Sequence, residues 1–180
     1  MLKGKNVVVT GGGRGIGRGI TEQLLEAGAS VVIAQRQALE DDLRDHPQVY
    51  FVEADLASME SPGLIAQFAQ EQLGGIDVLV NNAGVMFEKS IDDMTEHDWD
   101  RMMAVNLRAP AFLCKALVPQ MRQRGGGSII NIGSIEGIGA NPEHAAYCAS
   151  KAGIHGLTRA LAIDLGRDGF ETNAGIGQQH

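Results

Sequence analysis

Asn6-Val7-Val8-Val9-Thr10-Gly11-Gly12-Gly13-Arg14-Gly15-Ile16-Gly17 is a β-branched run followed at once by a cluster of glycines. The run reads as a strand buried on both faces, because its apolar residues are continuous rather than alternating. Beyond the glycines, Ile16, Ile20 and Leu24 recur every four residues with Glu22, Gln23 and Glu26 between them. That is the pattern of an amphipathic helix, which Gly28 ends. Strand, glycine loop and helix in this order form a cradle for phosphate. N–H groups at a helix start favour an anion, and glycines let the backbone come close to it. A glycine cluster alone is equally a flexible turn; its place between strand and helix points to a dinucleotide.

Ser30-Val31-Val32-Ile33-Ala34 gives a second strand of the same kind. At the end of such a strand a dinucleotide fold meets the adenosine ribose. A carboxylate there would bind the hydroxyls of NAD, whereas an arginine accommodates the extra phosphate of NADP. Here the chain reads Gln35-Arg36, and Arg14 in the glycine loop adds a second cation. The pair favours NADP over NAD, against the alternative that Arg36 is an ordinary solvated arginine. Further strands are expected at 49–52, 76–80 and 128–132. Helices alternate with them: one opened by Ser61-Pro62 and ended by Gly74-Gly75, a long one from Thr95 towards Arg124 kinked or broken at Pro110 and Pro119, and one from Ala145 to Leu165. This alternation predicts an α/β fold, a Rossmann-like doubly wound parallel sheet with helices on both faces.

The 180 residues suffice for one domain with a substantial core, and 44% hydrophobic with 21% charged residues fits a globular protein. The net charge is −7, and basic residues are interspersed with acidic ones rather than gathered in a stripe, which argues against a nucleic-acid partner. No apolar run is long enough to cross a membrane. The first residues lead straight into a strand without a signal-peptide pattern, so a cytoplasmic location is expected. Cys114 and Cys148 have neither metal-binding nor redox spacing, and no metal is expected.

Tyr147 and Lys151 stand four apart in the last helical pattern, one turn from each other on one face. A phenol titrates near ~10, and an ammonium beside it would lower that value and make proton exchange with an alcohol or carbonyl oxygen possible. The spacing alone fits equally a half-buried tyrosine beside a solvated lysine. His144 and His155 flank the pair and read as surface or satisfied histidines. Cys148 faces another way round the helix, and Trp99, Met102 and Met103 read as packing residues.

Taken jointly, Thr10-Gly11 with Gly15-Ile16-Gly17, Asn81-Asn82-Ala83-Gly84, Asn106, Ser134 and Tyr147 with Lys151 resemble, in order and interval, the short-chain dehydrogenase/reductase family. The resemblance implies an oxidoreductase that interconverts a carbonyl and an alcohol on a small-molecule substrate. Tyr147 would be the acid or base. Lys151 would lower its pKa and bond the nicotinamide ribose, Ser134 would hold the substrate oxygen, and Asn106 would position a water in a proton relay. Gly11, Arg14, Gly15, Ile16, Gly17, Arg36, Asp55, Leu56, Asn82, Ala83 and Gly84 would hold NADP, together with Tyr147 and Lys151. Family members associate through helices matching those near 99–124 and 147–166, which implies a homodimer or higher homo-oligomer.

The resemblance spans Gly4 to about Gly169, which makes 1–169 the nucleotide-binding domain. Residues 170–180 read as a divergent or truncated tail with only a faint echo of the family's sixth strand, and the usual last strand and helix are lacking. The wall that closes the substrate pocket would go with them. The alternative function is then a catalytically impaired nucleotide-binding or interaction module.

Overall fold

Val7, Val8 and Val9 are fully buried, as a run without polar alternation requires. In the computed structural model, which describes residues 2–176, they form β1 (Asn6–Thr10) at the centre of a sheet. Its neighbours are β2 (Ser30–Gln35) and β4 (Val78–Asn81), flanked by β3 (Val49–Glu53) and by β5 (Gly127–Gly133) with β6 (Phe170–Ile176). All pairs are parallel and the order is β3-β2-β1-β4-β5-β6. The chain thus winds outward from β1 in one direction, returns, and winds outward from β4 in the other.

Two apolar layers follow from that reversal. On one face Val7, Val9, Val31 and Ile33 pack with Ile20, Leu24 and Leu25 of α1 (Gly15–Glu26) and with Leu43 of the short α2 (Asp41–Arg44). On the other, Val8, Val32, Leu79 and Ile129 meet Ile65 of α3 (Ser61–Leu73), Leu113, Leu117 and Met121 of α5 (Ala109–Gln123) and Leu165 of α6 (Ala145–Leu165). Each such side chain, fully buried, contributes about 1.5–3 kcal/mol. The doubly wound α/β sheet expected from the alternation is present, with helices on both faces.

Two polar devices fix the register. At the bottom of the sheet Asp77 accepts from the Asn6 N–H, from Lys5 and from Arg124. Burial opposes its charge, but these hydrogen bonds outweigh it and hold the carboxyl below its usual range. Inside the sheet Asn81 Nδ2 donates to Asn131 Oδ1 at 2.8 Å, and Asn131 Nδ2 to Thr158 Oγ1 of α6 at 2.9 Å.

One expectation holds in part and one changes. The long helix from Thr95 is interrupted near Pro110, as expected: α4 (Glu96–Met103) and α5 join through a π turn over Ala104–Arg108, whereas Pro119 lies inside α5 without a break. Pro110 sits in the first turn of α5, where its missing N–H breaks the helical ladder, so the break falls just before it. Thr95 opens α4 through a reciprocal capping box with Asp98. The stretch after Gly169 is more than an echo of a strand: Phe170–Ile176 pairs with the whole of β5, from Gly127↔Phe170 to Gly133↔Ile176. Gly169, at φ 76°, turns the chain into that register, and Phe170 is buried in the core.

Candidate active site

The strand order reverses between β1 and β4, and the loops leaving their C-terminal ends diverge there. Open α/β sheets bind ligands at that place. A cleft of about 920 Å3 lies there. Gly11, Arg14, Gly15, Ile16 and Gly17 form its floor, Arg36 with Asp55 and Leu56 one end, and Asn82, Ala83 and Gly84 the facing loop. Tyr147 and Lys151 close the other end.

The glycine loop is held by bonds that leave its cleft side free. Gln35 Oε1 accepts from the Gly13 N–H at 2.8 Å, and Thr21 Oγ1 donates to the Gly12 carbonyl at 2.9 Å. Thr10 Oγ1 accepts from the N–H groups of Asn82 and Ala83, at 3.1 and 3.0 Å, and so joins the two loops. Asn82 Nδ2 donates to the carbonyls of Thr10 and Gly11. A Cβ on Gly17 would collide with the Gly11 carbonyl and with Asn82 Nδ2, so α1 can begin this close to β1 only with glycine there. No side chain caps the first N–H groups of α1. Those donors face the cleft beside Arg14, which suits an anionic dinucleotide.

At the β2 end of the cleft Arg36 is exposed, and Arg14 reaches Gln37 at 3.3 Å. The nearby acids Glu40 and Asp42 are both held by Arg18, which also bonds Glu22.

At the other end Tyr147 and Lys151 are buried, 5% exposed each. Lys151 Nζ donates to the Ile132 carbonyl at 2.8 Å and lies 5.6 Å from the Tyr147 ring centre. Burial pushes the ammonium down to about 8. The expected lowering of the phenol by Lys151 is not what the structure shows. Burial of Tyr147 pushes its pKa above the usual value, the Ser134 hydroxyl bond pulls it down, and the charge of Glu136 adds to the rise.

Asn106 and Ser134 are both buried, Asn106 behind Gly84 and Ser134 beside the Tyr147 hydroxyl. Asn106 lies in the π turn, where its side chain clamps Val85 twice, accepting from the N–H and donating to the carbonyl at 2.8 Å each, and also donates to Ser150 Oγ at 3.1 Å. A Cβ on Gly84 would sit 3.4 Å from Asn106 Oδ1 and 3.8 Å from Lys151 Nζ, so bare backbone separates the two. Ser134 Oγ accepts from the Glu136 N–H at 3.2 Å, capping a single 3-10 turn over Ile135–Gly137.

Sequence patterns passed over Thr10 and Gln35 as organisers of the loops. They also passed over His97, Asp100, Arg101 and Arg108, which line the cleft from α4 and the π turn. The helical interval 97, 100, 101, 104, 108 was the available signal for the latter group. His144, read as a surface or satisfied histidine, is buried and bonds Glu136 at 2.7 Å. Among the described residues no cluster of three or more metal-binding side chains occurs, and no helix is long and apolar enough to cross a membrane.

Residues 5–176 match the family described as short chain dehydrogenase. The chain is 42% identical over 173 residues to D-xylose 1-dehydrogenase of Caulobacter vibrioides, covering 93% of this chain and 68% of that protein. It is 36% identical over 178 residues to D-beta-hydroxybutyrate dehydrogenase of Rhizobium meliloti, covering 94% and 69%. Its fold superimposes on a crystal structure of a short-chain dehydrogenase from Streptomyces avermitilis with a TM-score of 0.89 at 33% identity, covering 94% of this chain and 64% of the other.

Proposed function

The chain belongs to the short-chain dehydrogenase family of oxidoreductases, which use nicotinamide cofactors, and from that premise we propose that it interconverts a carbonyl and an alcohol on a small molecule. One observation carries this: the buried Tyr147 and Lys151 stand in the same cleft as the uncapped start of α1 and the cations Arg14 and Arg36. A dinucleotide laid along it would have its diphosphate on the α1 N–H groups and its reactive ring near Tyr147.

The bound nicotinamide would supply the hydride for reduction or accept it in oxidation. Tyr147 gives its phenolic proton to the oxygen that becomes the alcohol, or takes that proton in the reverse direction. Ser134 donates a hydrogen bond to the same oxygen and holds it against the phenol. Lys151 would bond the nicotinamide ribose and, while it carries its proton, oppose the rise that burial imposes on the phenol. Asn106, by clamping Val85 and Ser150, holds the wall behind Lys151 where the relay water would sit. Arg36 and Arg14 would bond the extra phosphate of NADP, and the end of β2 carries Gln35 and Arg36 rather than a carboxylate for the hydroxyls of NAD. A homodimer through α4–α5 and α6 would cover Trp99, Phe112 and Ile163, which are 37%, 37% and 80% exposed. The location proposed is the cytoplasm.

Tyr147→Phe tests the chemistry. Turnover with a panel of sugars and hydroxy acids should disappear while NADPH binding, followed by calorimetry, stays; undiminished turnover would reject the role of Tyr147.

A further inference from the structure

Tyr147 is faced by an ion pair that the chemistry above does not use. Glu136 lies two residues past Ser134 and its own N–H holds the Ser134 hydroxyl. Its carboxylate is 12% exposed and accepts three bonds: from Asn141 Nδ2 at 2.9 Å, from His144 Nδ1 at 2.7 Å and from Cys148 Sγ at 3.5 Å. His144 presents its ring edge-on to Tyr147, with centroids 6.2 Å apart and planes at 75°. Its other nitrogen lies 3.6 Å from Glu88 Oε1, an exposed carboxylate.

The backbone is bent to make this arrangement. Glu143, immediately before His144, is the one non-glycine residue with positive φ among those described, at 63°. Its carbonyl accepts from the Lys89 N–H at 2.8 Å, which ties the turn to the loop carrying Glu88. Left-handed backbone at a non-glycine residue is disfavoured by about 1–3 kcal/mol and persists where its surroundings over-determine it. Here it brings the imidazole onto Glu136 and edge-on to the Tyr147 ring.

We propose that Glu136 and His144 form a positioning pair for Tyr147, in which the Glu136 carboxylate makes the phenol hold its proton and the His144 imidazolium cancels that charge. The groups facing Tyr147 make the electrostatics simple. They are Glu136 from the 3-10 turn, Ser134 from the end of β5, and His144, Cys148 and Lys151 from α6 itself. The side chain packed on it from α4 is Met102, which carries no charge. The bond to Glu136 holds His144 protonated to higher pH than usual, against the effect of burial. Burial of Glu136 is outweighed by its bonds from Asn141 and His144, so it stays ionised. Below the His144 midpoint the pair is neutral. Above it the pair is an anion beside the phenol, which holds the proton on Tyr147 and so opposes its acting as the base that takes a proton from an alcohol.

The proposal rests on Tyr147 being the acid and base, but its test does not use turnover. Tyr50 and Tyr147 are the two tyrosines of the chain, so in a Tyr50→Phe background a ring-labelled tyrosine reports Tyr147 alone. Its ring-carbon NMR shift should inflect at the midpoint of the His144 ring, and His144→Gln should remove that inflection. Its ionisation at high pH, read from tyrosinate absorbance, should fall by about half to one unit in Glu136→Gln. It should stay in place in His144→Gln, because the imidazole is already neutral there. No inflection in the parent, an unmoved midpoint in Glu136→Gln, or a like shift in both variants would overturn the pair. If Glu136→Gln fails to fold, the inflection and its loss in His144→Gln decide. Failure of these titrations leaves the Tyr147→Phe result standing, and the reverse, so the two readings fall separately.

Discussion

Two glycines of α1, two residues apart, should respond to the same substitution with opposite signs. At Gly17 an added Cβ meets the carbonyl of Gly11 and the amide of Asn82, of which the first is backbone and cannot swing aside. At Gly19 nothing lies within 4 Å of the new atom, and the position is exposed. Gly19→Ala therefore keeps only the gain in helix propensity, about 0.5–1 kcal/mol. Gly17→Ala receives the same gain but must move α1 off the glycine loop, and overpacking of this kind destabilises by about 1–3 kcal/mol or more. For a chain of this size each kcal/mol moves Tm by about 2–4 °C. Gly19→Ala is expected about 1–4 °C above the parent and Gly17→Ala several degrees below. If these N–H groups hold the cofactor's diphosphate as proposed, their displacement should make Gly17→Ala bind NADPH at least about tenfold more weakly, a loss of about 1.4 kcal/mol. Differential scanning calorimetry and titration calorimetry measure both. Parental stability together with parental NADPH affinity in Gly17→Ala would refute the cradle.

Arg36→Ala should weaken NADPH about tenfold, in the range of one charge-assisted bond, and leave NADH nearly unchanged; equal losses would remove the phosphate contact. Asp77→Asn should destabilise the fold by about 1–3 kcal/mol at neutral pH, discounted for the exposed Lys5. Because the folded pKa of Asp77 lies below its unfolded value, that contribution is present above the ordinary carboxylate range and is lost as pH falls through the folded value. Denaturant curves of the two proteins should therefore converge in acid, and a constant gap would contradict the ion pair. Lys151→Met should abolish turnover yet raise stability at neutral pH. The buried Lys151 titrates at about 8 in the fold, so the folded state binds its proton less readily than the unfolded chain does, and the parent gains stability as pH rises from about 8 to 10.5. A parent whose stability stays flat across that window would contradict the lowered value.

The local patterns of this chain settle what local forces control. Continuous β-branched runs at Val7–Val9 and Val31–Ile33 call for cover on both faces, and glycine at 11 and 15 permits positive φ while glycine at 17 permits a close approach, so the doubly wound sheet and its phosphate cradle are legible before folding. The order of Asn82, Asn106, Ser134, Tyr147 and Lys151 carries the family in the same way. Pairing is different, because it depends on residues far apart in the chain. Phe170–Ile176 has a weak strand pattern of its own and becomes β6 because β5 offers a full row of partners and the core accepts Phe170. Of the two prolines, Pro110 stands just after the π turn at Ala104–Arg108 while Pro119 is carried inside α5, a difference that the residue type does not contain. Charge effects need depth as well as neighbours: four-residue spacing suggests that Lys151 acidifies Tyr147, whereas burial lowers the lysine and raises the phenol. Sequence alone determined the layers, the cradle and which side chains stand in order. Tertiary structure decided how deeply each lies and which distant charge faces it, because desolvation and Coulomb terms follow distances in space that the chain order does not contain.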